Sequence, residues 1–345
     1  MHMIKPDYLK PGDRIALISP AYHTPEENVV KTAGVLRSWG FEPVTGRNIG
    51  KDFAGKYAGT PEERLSDLLR ALGDPSIKAV ICNRGGYGTI HLADAVPPET
   101  WRNNAKWLVG FSDITTLHFM ANTAGVMSLH GTMSSFLAAG GTDATSILMR
   151  DLLLGKVPAY ELPAHQLNQA GKATGRLVGG NLMSFAPLVG SSADATALVS
   201  SNADAIRERG SNSDAIPERG SSADATASDG IILFIEEVEE SMHNIDRQLN
   251  MLRLHGVLDR CRGVILGEFT DCDADLGYGS VEELISGYLR RYDIPVIYGF
   301  PAGHGKENLP LVMGAPATME VRTEGASLGF GIEGETVRRA VGTKV

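Results

Sequence analysis

Ser112 stands where an apolar run, residues 107–111, breaks at a Ser-Asp pair and resumes at helical spacing through Ile114 and Leu117. The pattern predicts strand, sharp turn, helix. A serine at such a junction lies beside the unpaired N–H groups of a helix N-terminus, which favour developing negative charge and suit a nucleophile. Ser and Asp are also preferred helix caps, and most strand-to-helix turns do no chemistry. Taken alone, Ser112 and Asp113 read better as a cap, so partners elsewhere in the chain must decide.

A serine nucleophile needs a base, and the base needs an orienting acceptor. Among nine histidines, His304 follows an expected strand and is flanked by Gly303 and Gly305, which leaves it exposed and lets its backbone approach a cleft closely. His130, after a strand and before Gly131, is the other contender; His118, His243 and His255 fall on helices, where packing or surface is the commoner use. For the acceptor, Glu236 is the first polar residue at the carboxyl end of the apolar run 231–235. The acids 236–240 could also simply begin a helix, which fits Glu239 and Glu240 better than Glu236.

Arg84-Gly85-Gly86-Tyr87-Gly88 is not Gly-x-Gly-x-x-Gly, and no acidic residue follows at the distance a ribose needs, which argues against a dinucleotide site. Its glycines suit a tight turn or an oxyanion hole beside Ser112 about equally. Glu268, after the strand expected over 263–267, reads either as a contact for a substrate amine or as an ordinary exposed strand-end carboxylate. No His/Cys/carboxylate cluster has ligand spacing, so no metal and no cofactor is expected.

These residues must be positioned by an α/β scaffold. Strands are expected at 14–19, 41–44, 79–83, 107–111 and 126–130, with helices between them in βαβα order. In an open parallel sheet, ligands collect outside the strand carboxyl ends, where the turns 84–88 and 112–113 would share one cleft. Two helices open on the same tetrapeptide, Thr24-Pro25-Glu26-Glu27 and Thr60-Pro61-Glu62-Glu63, each offering a cap, a proline at the first helical position and a glutamate three beyond the cap. Past about residue 170 the texture turns to glycine-rich and short strands, which places a domain boundary at about 155–172.

Residues 191–229 differ from the rest. Residues 191–197 return as 221–227 and 202–210 return as 212–220, with almost no large apolar side chains. A tandem duplication of this composition cannot bury much surface, so a mobile surface insertion is expected.

With 345 residues, 43% hydrophobic and 21% charged, the chain has the balance of a globular protein of two domains. A net charge of −9 without a basic patch argues against a nucleic-acid partner. The amino end lacks an apolar signal core and no run is long enough to span a membrane, so a cytoplasmic location is expected. Cys82, Cys261 and Cys272, odd in number and widely spaced, read as reduced packing thiols.

Together, residues 109–115, 84–88, His130-Gly131, Gly179-Gly180-Asn181-Leu182, residues 233–236 with Ile245-Asp246-Arg247, and Gly303-His304-Gly305 resemble, in order along nearly the whole chain, the serine LD-carboxypeptidases and the related microcin C immunity peptidases. The resemblance implies a triad of Ser112 as nucleophile, His304 as general base and acid, and Glu236 orienting the imidazole. It implies an oxyanion hole from the backbone N–H of Asp113 and the Gly85-Gly86 turn. It further implies a Rossmann-like domain over 1–160 carrying the nucleophile, a β-rich α+β domain over 170–345 carrying Glu236 and His304, and a homodimer. The chain departs from the family pattern at Thr132, where proline is common, and at the long insertion 191–229.

The expected activity is hydrolysis of the amide between an L-configured diamino acid and terminal D-alanine in a small murein peptide. The alternatives are cleavage of an aminoacyl-nucleotide amide, for which the repeated segment offers no aromatic stacking residue, and non-catalytic binding of peptidoglycan fragments.

Overall fold

The computed structural model describes residues 2–197 and 230–342, and their strands form two sheets. The first contains β1 (Arg14–Ile18), β2 (Glu42–Thr45), β3 (Ile77–Cys82), β4 (Trp107–Gly110) and β5 (Ser128–His130), all parallel in the order β5-β4-β3-β1-β2. Helices α1 (Glu26–Ser38), α2 (Pro61–Gly73), α3 (Thr115–Thr123) and α4 (Ala144–Leu153) accompany it. Ile15, Leu17, Ala79 and Ile81 join one buried cluster with Val29 and Leu36 of α1, while Ala16, Ile18, Val80 and Cys82 join another with Leu68 and Leu72 of α2. Both faces of these strands are therefore covered, which is why they read as continuous apolar runs rather than alternating ones.

The second sheet is built from β6 (Lys156–Pro163), β7 (Gly171–Asn181), β8 (Ile231–Val238), β9 (Cys261–Thr270) and β10 (Val296–Ile297), followed after a break by β12 (Pro316–Arg322), β13 (Gly325–Phe330) and β14 (Glu335–Ala340). Between β5 of the first sheet and the chain's last strands lies β11 (Leu311–Met313), which pairs antiparallel with β5. The first sheet thus takes its edge from late in the chain, a departure from a division at about 155–172. Three apolar residues carry too little periodicity to reveal which sheet they join.

The second sheet runs β10-β9-β8-β7 in parallel and β7-β12-β13-β6 antiparallel, with β14 parallel to β6. Helix α5 (Met242–Leu254) buries Ile245, Leu249 and Leu252, and α6 (Val281–Leu289) buries Leu284, Ile285 and Leu289, in the same cluster as Val178 of β7 and Leu233 of β8. No helix among the described residues is long and apolar enough to cross a membrane.

The two Thr-Pro-Glu-Glu tetrapeptides behave differently. At α2 the Glu63 N–H donates to the Thr60 hydroxyl at 3.4 Å and the Thr60 N–H donates to the Glu63 carboxylate at 3.0 Å, a complete capping box. At α1 no side chain caps, and the buried Thr24 hydroxyl has no hydrogen-bond partner among the described residues. Pro25 is extended there (φ −52, ψ 132), so the helix starts one residue later and Thr24 stands outside its first turn.

Within residues 191–197, expected to open a surface insertion, 193–196 pack inward while Ser191, Ser192 and Ala197 stay exposed. Ala193 and Ala195 join the core, and the Asp194 carboxylate accepts the N–H groups of Gly190 and Thr196, each at 2.9 Å. That local bonding satisfies the backbone of a segment too small-chained to look buried in sequence. The rest of the repetitive stretch, 198–229, lies outside the described residues.

Candidate active site

At the end of β4, Phe111 is extended and Ser112 turns to φ +63, after which a short 3-10 turn, Ser112–Ile114, leads into α3. A left-handed backbone at a non-glycine residue costs roughly 1–2 kcal/mol, and such strain gathers at functional turns. The surrounding glycines make room for it. A Cβ on Gly110 would lie 2.8 Å from an Ile114 methyl, and one on Gly85 would lie 2.9 Å from the Ser112 Cβ and 3.3 Å from the Asp113 nitrogen. The glycine turn after β3 is thereby pressed directly against Ser112.

Gly85 and Gly86 face different ways. Gly85 is buried against Ser112, whereas Gly86 (φ +107) is exposed and meets the Tyr22 ring, at 2.3 Å from where its Cβ would be. Asp113 does not cap α3. Its carboxylate accepts the Thr89 N–H at 2.9 Å, and the Thr89 hydroxyl donates to the Asp113 carbonyl at 2.5 Å. Burial pushes the Asp113 carboxyl above its usual range, against the Thr89 bonds and the charges of Arg64 and His91. The buried Arg64 lies on the same turn, donating to the Gly88 carbonyl at 2.8 Å and the Pro20 carbonyl at 2.7 Å.

Glu236 is not at the end of its strand but within β8, opposite an irregularity. Ile235 pairs with Leu266 and Glu237 with Phe269, so β9 carries one extra residue across from Glu236. Such a bulge re-aims a side chain. A Cβ on Gly267, within that extra stretch, would lie 3.1 Å from the Glu236 Cβ and 2.4 Å from the Ala302 carbonyl oxygen. The Glu236 side chain is fully buried and that of His304 is 18% exposed, so the imidazole still reaches the cleft.

His304 bridges the two. Its Nδ1 lies 2.7 Å from Glu236 Oε2 and its Nε2 lies 3.0 Å from Ser112 Oγ. An ionised carboxylate only accepts, so in the neutral ring Nδ1–H donates to Glu236 and Nε2 is left to accept the Ser112 hydroxyl. Burial is the largest single influence on His304 and lowers its pKa, but the Glu236 hydrogen bond with the charges of Glu236, Glu237 and Glu239 outweighs it, leaving the imidazole above its ordinary value. Phe111 packs on the ring, centroids 4.9 Å apart.

His130 is a support rather than a partner of Ser112. It is fully buried, its Nε2–H donates to Asn308 Oδ1 at 2.8 Å, and burial together with the nearby His118 takes its pKa down to about 3. The same Asn308 oxygen accepts the Gly303 N–H at 3.0 Å, so His130 and Asn308 together hold the turn that carries His304. Asn308 went unsingled in sequence, where its only signal is an amide five residues past Gly303.

Gly179-Gly180-Asn181 joins the second sheet to α3, the helix that follows Ser112. The Asn181 N–H donates to the Thr115 hydroxyl at 3.1 Å, and Asn181 Nδ2 donates to Glu237 at 2.7 Å. Glu237, buried beside Glu236, also accepts the Met183 N–H at 2.9 Å, and its pKa is raised by burial to about 7. Glu268 is half-buried, its carboxylate filling the space a side chain at Gly305 would need; burial, with Glu307 and Glu236 nearby, raises its pKa.

Residues 15–131 match the LD-carboxypeptidase N-terminal domain and residues 210–319 match the LD-carboxypeptidase C-terminal domain. A protein of Synechocystis sp., provisionally described as a carboxypeptidase, is 32% identical over 92% of this chain and 95% of its own length. The murein tetrapeptide carboxypeptidase of Pseudomonas aeruginosa is 30% identical over 89% of this chain and 93% of its own. The microcin C7 self-immunity protein MccF of Escherichia coli is 24% identical over 92% and 93%. In fold, the muramoyltetrapeptide carboxypeptidase from Oxalobacter formigenes superposes with a TM-score of 0.76 at 24% identity, covering 93% of this chain and 99% of that one.

Proposed function

From the premise that this chain belongs to the LD-carboxypeptidase family, we propose that it is a serine carboxypeptidase releasing terminal D-alanine from a murein peptide, cutting after the L-configured centre of a diamino acid. The observation that carries this reading is the single imidazole spanning Ser112 at 3.0 Å and Glu236 at 2.7 Å.

His304 Nε2 takes the proton of the Ser112 hydroxyl as Oγ attacks the scissile carbonyl. The oxyanion forms against the backbone N–H of Asp113 and the Gly85-Gly86 turn, with Gly85 the glycine packed on Ser112. His304 then gives its proton to the leaving amine, and a water activated by the same nitrogen releases the acyl group and regenerates Ser112. Glu236 keeps Nδ1 protonated and stabilises the imidazolium between these steps. Glu268 faces the same turn with Glu307 and reads a substrate ammonium group. The reading includes a cytoplasmic enzyme acting in cell-wall recycling as a homodimer.

The test is D-alanine release from murein tetrapeptide by the wild-type protein and by Ser112→Ala. The reading expects release by the first and none by the second; equal release by both overturns the assignment. The MccF relative, whose solved structures hold glutamyl sulfamoyl guanosine or aspartyl sulfamoyl adenosine, supports a second substrate class, so an aminoacyl sulfamoyl nucleoside belongs in the same assay. Faster cleavage of that compound would replace the murein reading, and tight peptide binding without turnover would make the protein a binder.

A further inference from the structure

We propose that Arg84 binds the free terminal carboxylate of the peptide and so makes the enzyme select a chain end; this rests on the carboxypeptidase reading above. In a substrate cut at its last amide, a carboxylate sits one carbon from the scissile nitrogen. The enzyme must accommodate that charge beside an oxyanion developing on the neighbouring carbonyl.

The charges around the site are divided between its two sides. On the His304 side stand Glu236, Glu237 and Glu239, whose charges raise the pKa of His304, and Glu268, whose own pKa is raised by burial and by Glu307 and Glu236. A substrate carboxylate is repelled from there. On the Ser112 side the glycine turn begins with Arg84, which is exposed and, among the described residues, engages no carboxylate and no hydrogen-bond acceptor. Gly85 follows it and packs on Ser112, so the Arg84 Cα is one step of about 3.8 Å from the residue touching the nucleophile. From there the Arg84 side chain has to reach a carboxylate at the scissile bond for the proposal to hold.

Arg84 is also held ready. Its guanidinium lies over the Tyr22 ring, 5.9 Å from the centroid. Tyr22 is fastened to the same turn, its N–H donating to the Gly85 carbonyl at 3.3 Å and its ring covering Gly86. A loose contact of this kind takes up none of the guanidinium N–H donors and leaves them for two-point contact with a carboxylate. The cleft then orients a peptide carrying both charges, carboxylate toward Arg84 and ammonium toward Glu268 and Glu307. Arg64, against the same turn, is buried and donates to the Pro20 and Gly88 carbonyls, and the exposed Lys306 lies on the acidic side between Gly305 and Glu307 as a point charge without a fork.

The experiment compares murein tetrapeptide with its C-terminal amide, using wild type, Arg84→Ala, Arg84→Lys and Lys306→Ala. The ratio of kcat/KM for acid over amide is expected to fall roughly 10- to 100-fold in Arg84→Ala, mostly through KM, with Arg84→Lys in between. A folding defect lowers both substrates alike and leaves the ratio standing. An unchanged ratio in Arg84→Ala, or a ratio lost only in Lys306→Ala, overturns the proposal. Wild-type protein that cleaves neither peptide while Ser112 still reacts with a serine-directed phosphonate refutes the substrate reading, and the role of Arg84 falls with it.

Discussion

Asp113 and Thr89 are joined by two hydrogen bonds, both donated by Thr89: its N–H to the Asp113 carboxylate at 2.9 Å and its hydroxyl to the Asp113 carbonyl at 2.5 Å. Thr89 directly follows the glycine turn 84–88, and Asp113 directly follows Ser112. The pair fixes the separation between the two backbone segments proposed to bind the oxyanion, with Arg64 bracing the same turn through the Gly88 carbonyl.

Removing that clasp should act on the transition state more than on binding. Asp113→Ala is expected to lower kcat roughly 10- to 100-fold, the effect of about 1–3 kcal/mol for a buried bond left unmade, with a smaller change in KM. Asp113→Asn, which still accepts the Thr89 N–H, should lose less. Steady-state kinetics decide it; a fully active alanine variant would show that the turn needs no such support.

The backbone at Ser112 separates strain from chemistry. At φ +63 a glycine is relaxed and an alanine is not. Ser112→Gly should therefore unfold at higher urea than Ser112→Ala, by about 1 kcal/mol, while neither releases D-alanine. Identical midpoints would mean that the turn relaxes when the hydroxyl is removed.

The pH dependence follows from His304. As the proposed base it must be neutral, and its pKa is raised above the ordinary value, so kcat/KM should climb with pH through an apparent value higher than about 6.5. Glu236→Gln removes the neighbouring negative charge, so the acid limb should move to lower pH while the plateau falls. A limb that stays in place, or moves upward, would show that another group sets the profile.

Gly179 tests the contact between β7 and β8 within the second sheet. Its φ is +127 and a Cβ there would lie 1.9 Å from the Phe234 carbonyl oxygen, a backbone atom that cannot swing away. Gly179→Ala should cost more than about 3 kcal/mol and yield little folded protein, as read by thermal unfolding. A variant within a degree or two of wild type would mean that β7 and β8 tolerate a local separation.

What could be read from the chain by itself was local. Strand, turn and glycine types around Ser112, the cap and glutamate of Thr60, and the glycines flanking His304 each depend on neighbours within a few residues, where propensity and sterics act directly. Local reading also failed locally: Thr24 repeats the tetrapeptide of Thr60 and caps nothing, because one extended proline shifts the helix start. Asp113 looked like a cap, yet its carboxylate turned to a backbone N–H 24 residues earlier. Pairing Ser112 with His304, 192 residues apart, and His304 with Glu236, 68 apart, depends on the register of β8 against β9 and on the bulge opposite Glu236. The support of the His304 turn by His130 through Asn308 spans the two sheets. No periodicity encodes such distances, since they follow from how two sheets that share one buried cluster pack. The chain order of the residues therefore offered candidates for chemistry, and only the tertiary packing decided which of them share a proton.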